Sequence, residues 1–192
     1  MALNRRLSVK LIRKPSEAKL LSEPMRREML RLMCKTPMTE TQLAKMLGLR
    51  TPTIGHHLSA LKKNGFVSVS RQEPGIHGIV EKYYESSAQL YFIDGKNMPL
   101  EIVRYYMPVV VERARGVLAC VKMNDRSFNP SSEYMEQFAL AFANNISKVA
   151  ERYDTPVTVT DPEACICQLY SEALEGVVKA GFKELREVIN AV

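Results

Sequence analysis

Residues 49–67, LRTPTIGHHLSALKKNGFV, contain the pattern that decides the fold of this chain. Thr51 is a candidate N-cap, and Pro52 suits the first helical position because its ring fixes φ near the helical value. Apolar side chains then recur with the spacing of one buried helical face, at Ile54, Leu58 and Leu61. The pattern predicts an amphipathic helix that ends at Asn64 and Gly65.

Two shorter helical patterns precede this segment. Residues 22–34, SEPMRREMLRLMC, begin with Ser22 as a candidate N-cap and carry an apolar stripe. In the next pattern, Thr39 and Gln42 have the spacing of a capping box, and Gly48 ends the helix after about two turns. Two short helices joined by a tight, glycine-containing turn form a helix-turn-helix, in which the second helix reads DNA.

The second helix of this unit has a small and polar outer face. Hydroxyl and imidazole groups can bond to base edges in the major groove, and Lys or Arg side chains can neutralise phosphates. His57 stands beside the apolar stripe and is better explained as a structural histidine than as a base contact. The alternative for the whole face is a solvated helix that covers a core. We expect DNA contacts from Arg50, Thr51, Thr53, His56, Ser59, Lys62 and Lys63.

A β-hairpin is predicted directly after this helix. Residues 66–71, FVSVSR, alternate apolar and polar, and residues 79–84, IVEKYY, are rich in β-branched and aromatic side chains. We expect supporting DNA contacts from Arg71 and Lys82, whereas Glu73 opposes close approach to phosphate. The turn and tip of this wing would contain Gln72, Glu73, Pro74, Gly75, Ile76, His77 and Gly78.

The segment around the predicted recognition helix resembles the signature of ArsR-type winged helix-turn-helix transcriptional regulators. Residues 78–88, GIVEKYYESSA, also resemble an archaeal subgroup of these regulators with added C-terminal helices. The resemblance covers residues 16–90 and implies a winged helix that binds operator DNA, commonly as a repressor. Gly55 stands where the family usually has Ser, which removes one candidate base contact. The residues that carry the signature are Thr51, Pro52, Thr53, Ile54, Gly55, His56, His57, Leu58 and Leu61, then Lys62, Lys63 and Gly65.

The metal sites found in this family have no counterpart in the sequence. Many members use a Cys-x-Cys pair on the helix before the recognition helix, but residues 39–47, TETQLAKML, contain no thiol. Other members use Asp, His and Glu on a C-terminal helix, but all three His, at positions 56, 57 and 77, lie in the predicted DNA-binding unit. Cys165 and Cys167 would point about 200 degrees apart on a helix. We expect no metal and no cofactor, and the remaining alternative is a redox or metal role of Cys120, Cys165 or Cys167 across a dimer.

Charge is distributed unevenly along the 192 residues. The net charge is +6, but residues 1–86 contain 16 basic and 7 acidic residues, whereas residues 87–192 contain 11 and 14. A local excess of positive charge attracts polyanions through counterion release. The longest apolar run, residues 105–111, is far too short for a membrane span, and no secretory signal is evident. We expect a cytoplasmic protein whose partner is double-stranded DNA.

The C-terminal half contains three amphipathic helical patterns. Pro108 lies inside the first and predicts a kink or a break. The second would begin near Ser132, and the third at residues 161–163, running to Val188 with Gly181 as an interruption. The three helices could also form a simple bundle or a ligand pocket. We interpret a heptad seam in the first pattern as a dimer interface, formed by Val103, Met107, Val110, Ala114, Val117 and Val121.

These patterns predict a mainly α fold with a small β-hairpin wing. Residues 1–90 would form a winged helix-turn-helix, and residues 91–192 a C-terminal helical dimerisation region with a possible effector-sensing role. A homodimer would bind a pseudopalindromic operator, because two-fold symmetry places two recognition helices one DNA turn, about 34 Å, apart. No P-loop, G-x-G-x-x-G, H-E-x-x-H or nucleophile motif is present, so we expect no enzyme. The alternative function is a protein-interaction or RNA-associated winged helix without sequence-specific DNA readout.

Overall fold

The computed structural model describes residues 6–75, 79–95, 98–154 and 162–182. Over these residues the chain forms seven helices and four strands, which confirms the mainly α fold with a small wing. In chain order the elements are β1 (Leu7–Ile12), α1 (Pro15–Ser22), α2 (Pro24–Lys35), α3 (Glu40–Leu47), α4 (Thr51–Lys63), β2 (Val67–Pro74), β3 (Val80–Ser86), β4 (Ala88–Ile93), α5 (Leu100–Asn124), α6 (Ser132–Tyr153) and α7 (Pro162–Lys179).

Helix α3 has the predicted capping chemistry at both of its ends. Thr39 Oγ1 accepts a hydrogen bond from the Gln42 amide at 3.2 Å, and Gln42 Oε1 accepts one from the Thr39 amide at 2.9 Å. Gly48 follows α3 with φ of 65°, a left-handed conformation that favours glycine. The capping box and the glycine C-cap therefore fix where the first helix of the helix-turn-helix begins and ends.

Two predicted N-caps are wrong. Ser22 is the last residue of α1, where its hydroxyl donates to the Lys19 carbonyl, and Glu23 is the N-cap of α2. Thr51 is the first residue of α4 and Arg50 is its N-cap. The helix begins one residue earlier than expected because the Arg50 carbonyl accepts from the amides of both Thr53 and Ile54. Proline is tolerated at the second helical position for the same reason as at the first, since neither amide has a partner inside the helix.

The predicted wing is an antiparallel pair of β2 and β3. Its register runs from Val67 opposite Ser86 to Pro74 opposite Val80, with an irregularity between Val69 and Arg71. At their C-terminal ends both strands are longer than predicted: β2 continues to Pro74 and β3 to Ser86. The tip residues Ile76, His77 and Gly78 lie outside the described residues.

A second, parallel strand pair was not predicted from the sequence. β1 pairs with β4, from Leu7 opposite Ala88 to Ile12 opposite Ile93. Ile12 packs in the apolar core of the helix-turn-helix unit, whereas Val9 and Leu11 pack in a second core among the C-terminal helices. The N-terminal strand therefore contributes to both cores, and the division into residues 1–90 and 91–192 stays a prediction.

The described parts of the C-terminal helices follow their sequence patterns except inside α5. α5 is one continuous helix from Leu100 to Asn124 with Pro108 inside it, so of the predicted kink or break, the break does not occur. α7 ends at Lys179, shortly before Gly181, whose φ is 117°. α6 begins as predicted at Ser132, with the Ser131 hydroxyl accepting from the Tyr134 amide. The predicted cap Asp161 and the predicted end Val188 lie outside the described residues.

Part of the heptad seam of α5 packs inside the chain. Ala114 and Val121 are 0% and 2% exposed, in the core that also contains Phe138 of α6. The other four residues of the seam are half-buried: Val103, Met107, Val110 and Val117. Ala114 and Val121 are therefore covered by the chain's own helices, which corrects the interpretation for these two residues. A dimer interface on the four half-buried residues stays a prediction, because heptad spacing identifies an apolar stripe without naming its partner.

Candidate nucleic-acid interface

Helix α4 divides into a buried face and an exposed face. Ile54, Leu58 and Leu61 are buried against α2 and α3, as their spacing predicted. Every residue that we expected to contact DNA from this helix or its N-cap is exposed: Arg50, Thr51, Thr53, His56, Ser59, Lys62 and Lys63. The exposed face is small and hydroxyl-rich in its first half, and Lys62 and Lys63 form its basic C-terminal end. Such a surface matches what a major groove and its flanking phosphates can accept.

An acidic residue beside α4 was missed by the sequence reasoning. Glu40, the first residue of α3, places its Oε2 atom 3.4 Å from where a Cβ atom at Gly55 would lie. Its Oε1 accepts a hydrogen bond from the Tyr84 hydroxyl at 3.4 Å, and burial together with this carboxylate raises the pKa of the Tyr84 phenol. Glu40 thus connects the wing to the N-terminal half of the recognition helix. Capping-box spacing identified its neighbours, but no sequence signal pointed to this contact.

The wing is also anchored by backbone hydrogen bonds. Met38 and Tyr84 form an isolated antiparallel bridge, with both N–H to carbonyl distances at 2.9 Å. Because Met38 immediately precedes the capping box of α3, the base of β3 is held directly against the helix-turn-helix. The wing and α4 are therefore positioned by one short segment of chain.

The two adjacent histidines of α4 have different surroundings. His56 is exposed, whereas His57 is half-buried and its Nδ1 atom is enclosed without a hydrogen-bond partner among the described residues. Burial lowers the pKa of His57, and the nearby Arg26 lowers it further. The neutral imidazole is thus favoured at His57, which agrees with a structural role, and His56 is available for contact with a base.

The wing offers less positive charge than the sequence suggested. Arg71 donates from Nε to Glu73 Oε1 at 2.6 Å, and its guanidinium carbon lies 3.9 Å from the centroid of the Tyr83 ring. Glu73 is opposite Glu81 in the hairpin register. Lys82 is exposed on β3, beside a shallow groove that Thr51 of α4 also lines. The two strands therefore carry three acids, Glu73, Glu81 and Glu85, against two bases, and Lys82 is the better placed of the two predicted wing contacts.

The thiols are placed apart from this surface. Cys165 is buried and Cys167 is exposed, as expected for residues two apart on a helix, and burial raises the pKa of the Cys165 thiol. Cys34 is half-buried and Cys120 is exposed. Within the described parts of the chain, no three His, Cys, Asp or Glu side chains come together in a group that could hold a metal ion.

The residues that build this surface match a known family. Residues 23–69, from the N-cap of α2 into β2, match the family model described as bacterial regulatory protein, arsR family. Residues 23–69 are an ArsR-family regulatory domain. This domain indicates a DNA-binding transcription regulator, and the family is a regulatory rather than an enzymatic one. The match includes all of α3 and α4.

Other comparisons add little to this result. The crystal structure of Rv0081 from M. tuberculosis shares 22% sequence identity, over 59% of this chain and 92% of that chain, with a TM-score of 0.33. No curated protein matches the chain significantly. Among the described helices, none is both long and apolar enough to cross a membrane.

Proposed function

We propose that this chain is a sequence-specific regulator of transcription that binds double-stranded DNA as a homodimer and acts as a repressor. The observation that carries the proposal is the division of α4, which buries its apolar stripe and exposes a small, polar and basic face. Repression is what the resemblance to ArsR-type regulators implies, and a pseudopalindromic operator is expected from the two-fold symmetry of a homodimer.

The exposed residues of α4 have two different roles in this proposal. Thr53, His56 and Ser59 would contact base edges, because their side chains are short and can both donate and accept hydrogen bonds. Arg50, Thr51, Lys62 and Lys63 lie at the two ends of the helix and would contact phosphates. Lys82 would add a contact from the wing, and Arg71 a weaker one because Glu73 already binds it.

The seam of α5 is partly covered by the chain's own helices, and another side of this helix offers more exposed apolar surface to a homodimer. The outward side of the same helix carries Tyr105, Val109 and Met123, which are 69%, 49% and 83% exposed. Val109, Gly116 and Met123 follow one another at intervals of seven residues, so these three residues lie along one line of the helix. A Cβ atom at Gly116 would meet nothing within 4 Å, which leaves room for a second helix to approach. We propose this outward face of α5 as the dimer interface.

Competition between nucleic acids tests the proposed partner. A labelled duplex DNA bound by the full chain at about 0.15 M salt should be displaced by duplex DNA, and much less by duplex RNA of the same sequence. Displacement by RNA at equal or lower concentration would favour the RNA-associated alternative. A failure to retain any nucleic acid at this salt concentration would favour the protein-interaction alternative.

A further inference from the structure

A cavity of about 820 Å³ lies between the helix-turn-helix unit and the C-terminal helices. Residues of α1, α2, β4, α5 and α7 line it, and no residue of α4 does. Small-molecule sites in proteins have volumes of about 300–1,000 Å³ and often occur between structural units. The cavity therefore has the size and the position of a ligand site, away from the surface assigned to DNA.

The inner wall of this cavity is largely apolar, although Cys34, Gln89, Tyr91 and Tyr106 also line it. Leu21 and Leu30 line it and are 3% and 2% exposed, so they form its floor. Leu90 and Ile93 of β4 and Ile166 of α7 also line it and are half-buried. Aliphatic walls of this kind favour a hydrocarbon group over water.

The outer wall of the cavity is basic. Five basic residues line it against one acid, Glu163, and all of the basic residues except the half-buried Arg6 are exposed. The basic residues are Arg6, Arg27, Arg31, Lys35 and Arg113. Arg31 forms an ion pair with Glu28, and Arg27 donates to the carbonyl groups of Leu21 and Ser22. Even so, the cavity mouth has an excess of positive charge. Arg113 is a basic residue of the mouth that comes from the C-terminal half, whose net charge is negative. An anionic group is the natural occupant of such a mouth.

We propose that this cavity binds a carboxylate with an aliphatic chain, the chain on the leucine floor and the carboxylate among the basic residues at the mouth. The two kinds of wall act on different parts of one ligand. The floor favours the chain because it removes apolar surface from water. The mouth favours a carboxylate over a neutral head group through charge-assisted hydrogen bonds.

The cavity is connected to the recognition helix through α2. Leu30 and Lys35 of α2 face the cavity, while Met29 and Met33 of the same helix pack in the core with Leu58 of α4. A ligand that prefers one placement of α2 against β4 and α7 would therefore bias the position of the DNA-binding unit. Binding in the cavity does not depend on the proposed DNA function, whereas its use as a regulatory signal does.

Calorimetric titration of the full chain with octanoate, without DNA, tests this site. We expect a saturable heat, a rise in Tm at saturating octanoate, and binding at least about tenfold tighter than that of 1-octanol, which has the same chain without the charge. Because DNA is absent, the result is independent of whether the DNA function holds. No saturable binding of octanoate, or equal affinity for 1-octanol, would overturn the proposal.

A pair of charge variants locates the binding at this cavity. The double variant Lys35→Gln and Arg113→Gln removes two basic groups from the mouth and should bind octanoate at least about tenfold more weakly. The control is Lys122→Gln with Arg126→Gln, which makes the same change in net charge at exposed residues outside the cavity. The control should bind like the unmodified chain. Unchanged affinity in the first variant, or an equal loss in both, would overturn the proposal, and the Tm of each ligand-free variant verifies that it is folded.

Discussion

Lys10 lies with its ammonium group 4.3 Å from the centroid of the Phe66 ring, and the same group donates to the Gly65 carbonyl at 3.3 Å. Gly65 and Phe66 follow the recognition helix α4 after its C-cap, Asn64. Lys10 belongs to β1, whose Val9 and Leu11 pack in the core of the C-terminal helices. The strand therefore links the end of the recognition helix to the C-terminal half of the molecule.

Substitution of Lys10 by Met tests this link. The variant loses a cation–π contact and a hydrogen bond, and we expect the free energy of unfolding to fall by about 1 kcal/mol in urea titrations. Lys14→Met is the control, because the Lys14 ammonium is exposed and lies 3.9 Å from Glu17, a surface pair worth at most a few tenths of a kcal/mol. Equal stability of the two variants would contradict a role of Lys10 in joining the two halves.

Two glycines around the helix-turn-helix are expected to respond in opposite directions to alanine. Gly55 lies inside α4, where a Cβ atom would make an ordinary contact of 3.4 Å with the end of the Glu40 side chain, so Gly55→Ala should stabilise the fold by about 0.5–1 kcal/mol. Gly48 has φ of 65°, so Gly48→Ala should destabilise it by about 1 kcal/mol. Chemical denaturation measures both. A loss of stability in Gly55→Ala would show that Glu40 cannot accommodate even a methyl group.

The proposed dimer face predicts a specific effect of charge on α5. Val109→Glu places an acid on the outward line of the helix, and we expect the dimer dissociation constant to rise at least about tenfold in sedimentation experiments. Leu140→Glu on α6 is a matched control, because Leu140 and Val109 are both 49% exposed. If Leu140→Glu dissociates the dimer and Val109→Glu does not, the interface lies on α6 instead.

Base contacts and phosphate contacts from α4 predict different losses. His56→Ala should weaken binding to the cognate duplex by about 1–3 kcal/mol and change binding to random duplexes little, which lowers discrimination. Lys63→Ala should weaken binding to all duplexes similarly and reduce the dependence of affinity on salt. Fluorescence anisotropy over a range of salt concentrations separates the two effects. An equal loss on every sequence from His56→Ala would contradict base reading by this residue.

Local signals predicted the helix-turn-helix and its wing, and non-local contacts accounted for most of what was missed. The capping box of Thr39 and Gln42 and the apolar spacing of α4 depend on neighbours a few residues apart, and such patterns can be read directly from the sequence. The pairing of β1 with β4 joins Leu7 to Ala88, and no local pattern specifies a partner so distant along the chain.

The seam of α5 shows the limit of periodicity in another way. Its spacing correctly indicated an apolar stripe, but spacing alone does not say whether the stripe packs on another copy or on the same chain. Ala114 and Val121 are covered by the chain's own helices. The contact of Glu40 with Tyr84 and its approach to Gly55 likewise depend on how three elements meet in space.

Selection of bound duplexes from a random pool, with the full chain at about 0.15 M salt, tests the central claim most directly, because long-range attraction to phosphate is then largely screened. A dimeric regulator that reads DNA through α4 predicts enrichment of an inverted repeat whose half-sites lie one helical turn apart, about 34 Å. Recovery of duplexes without any shared motif, from a chain that is folded and bound to DNA, would contradict sequence-specific readout by the recognition helix.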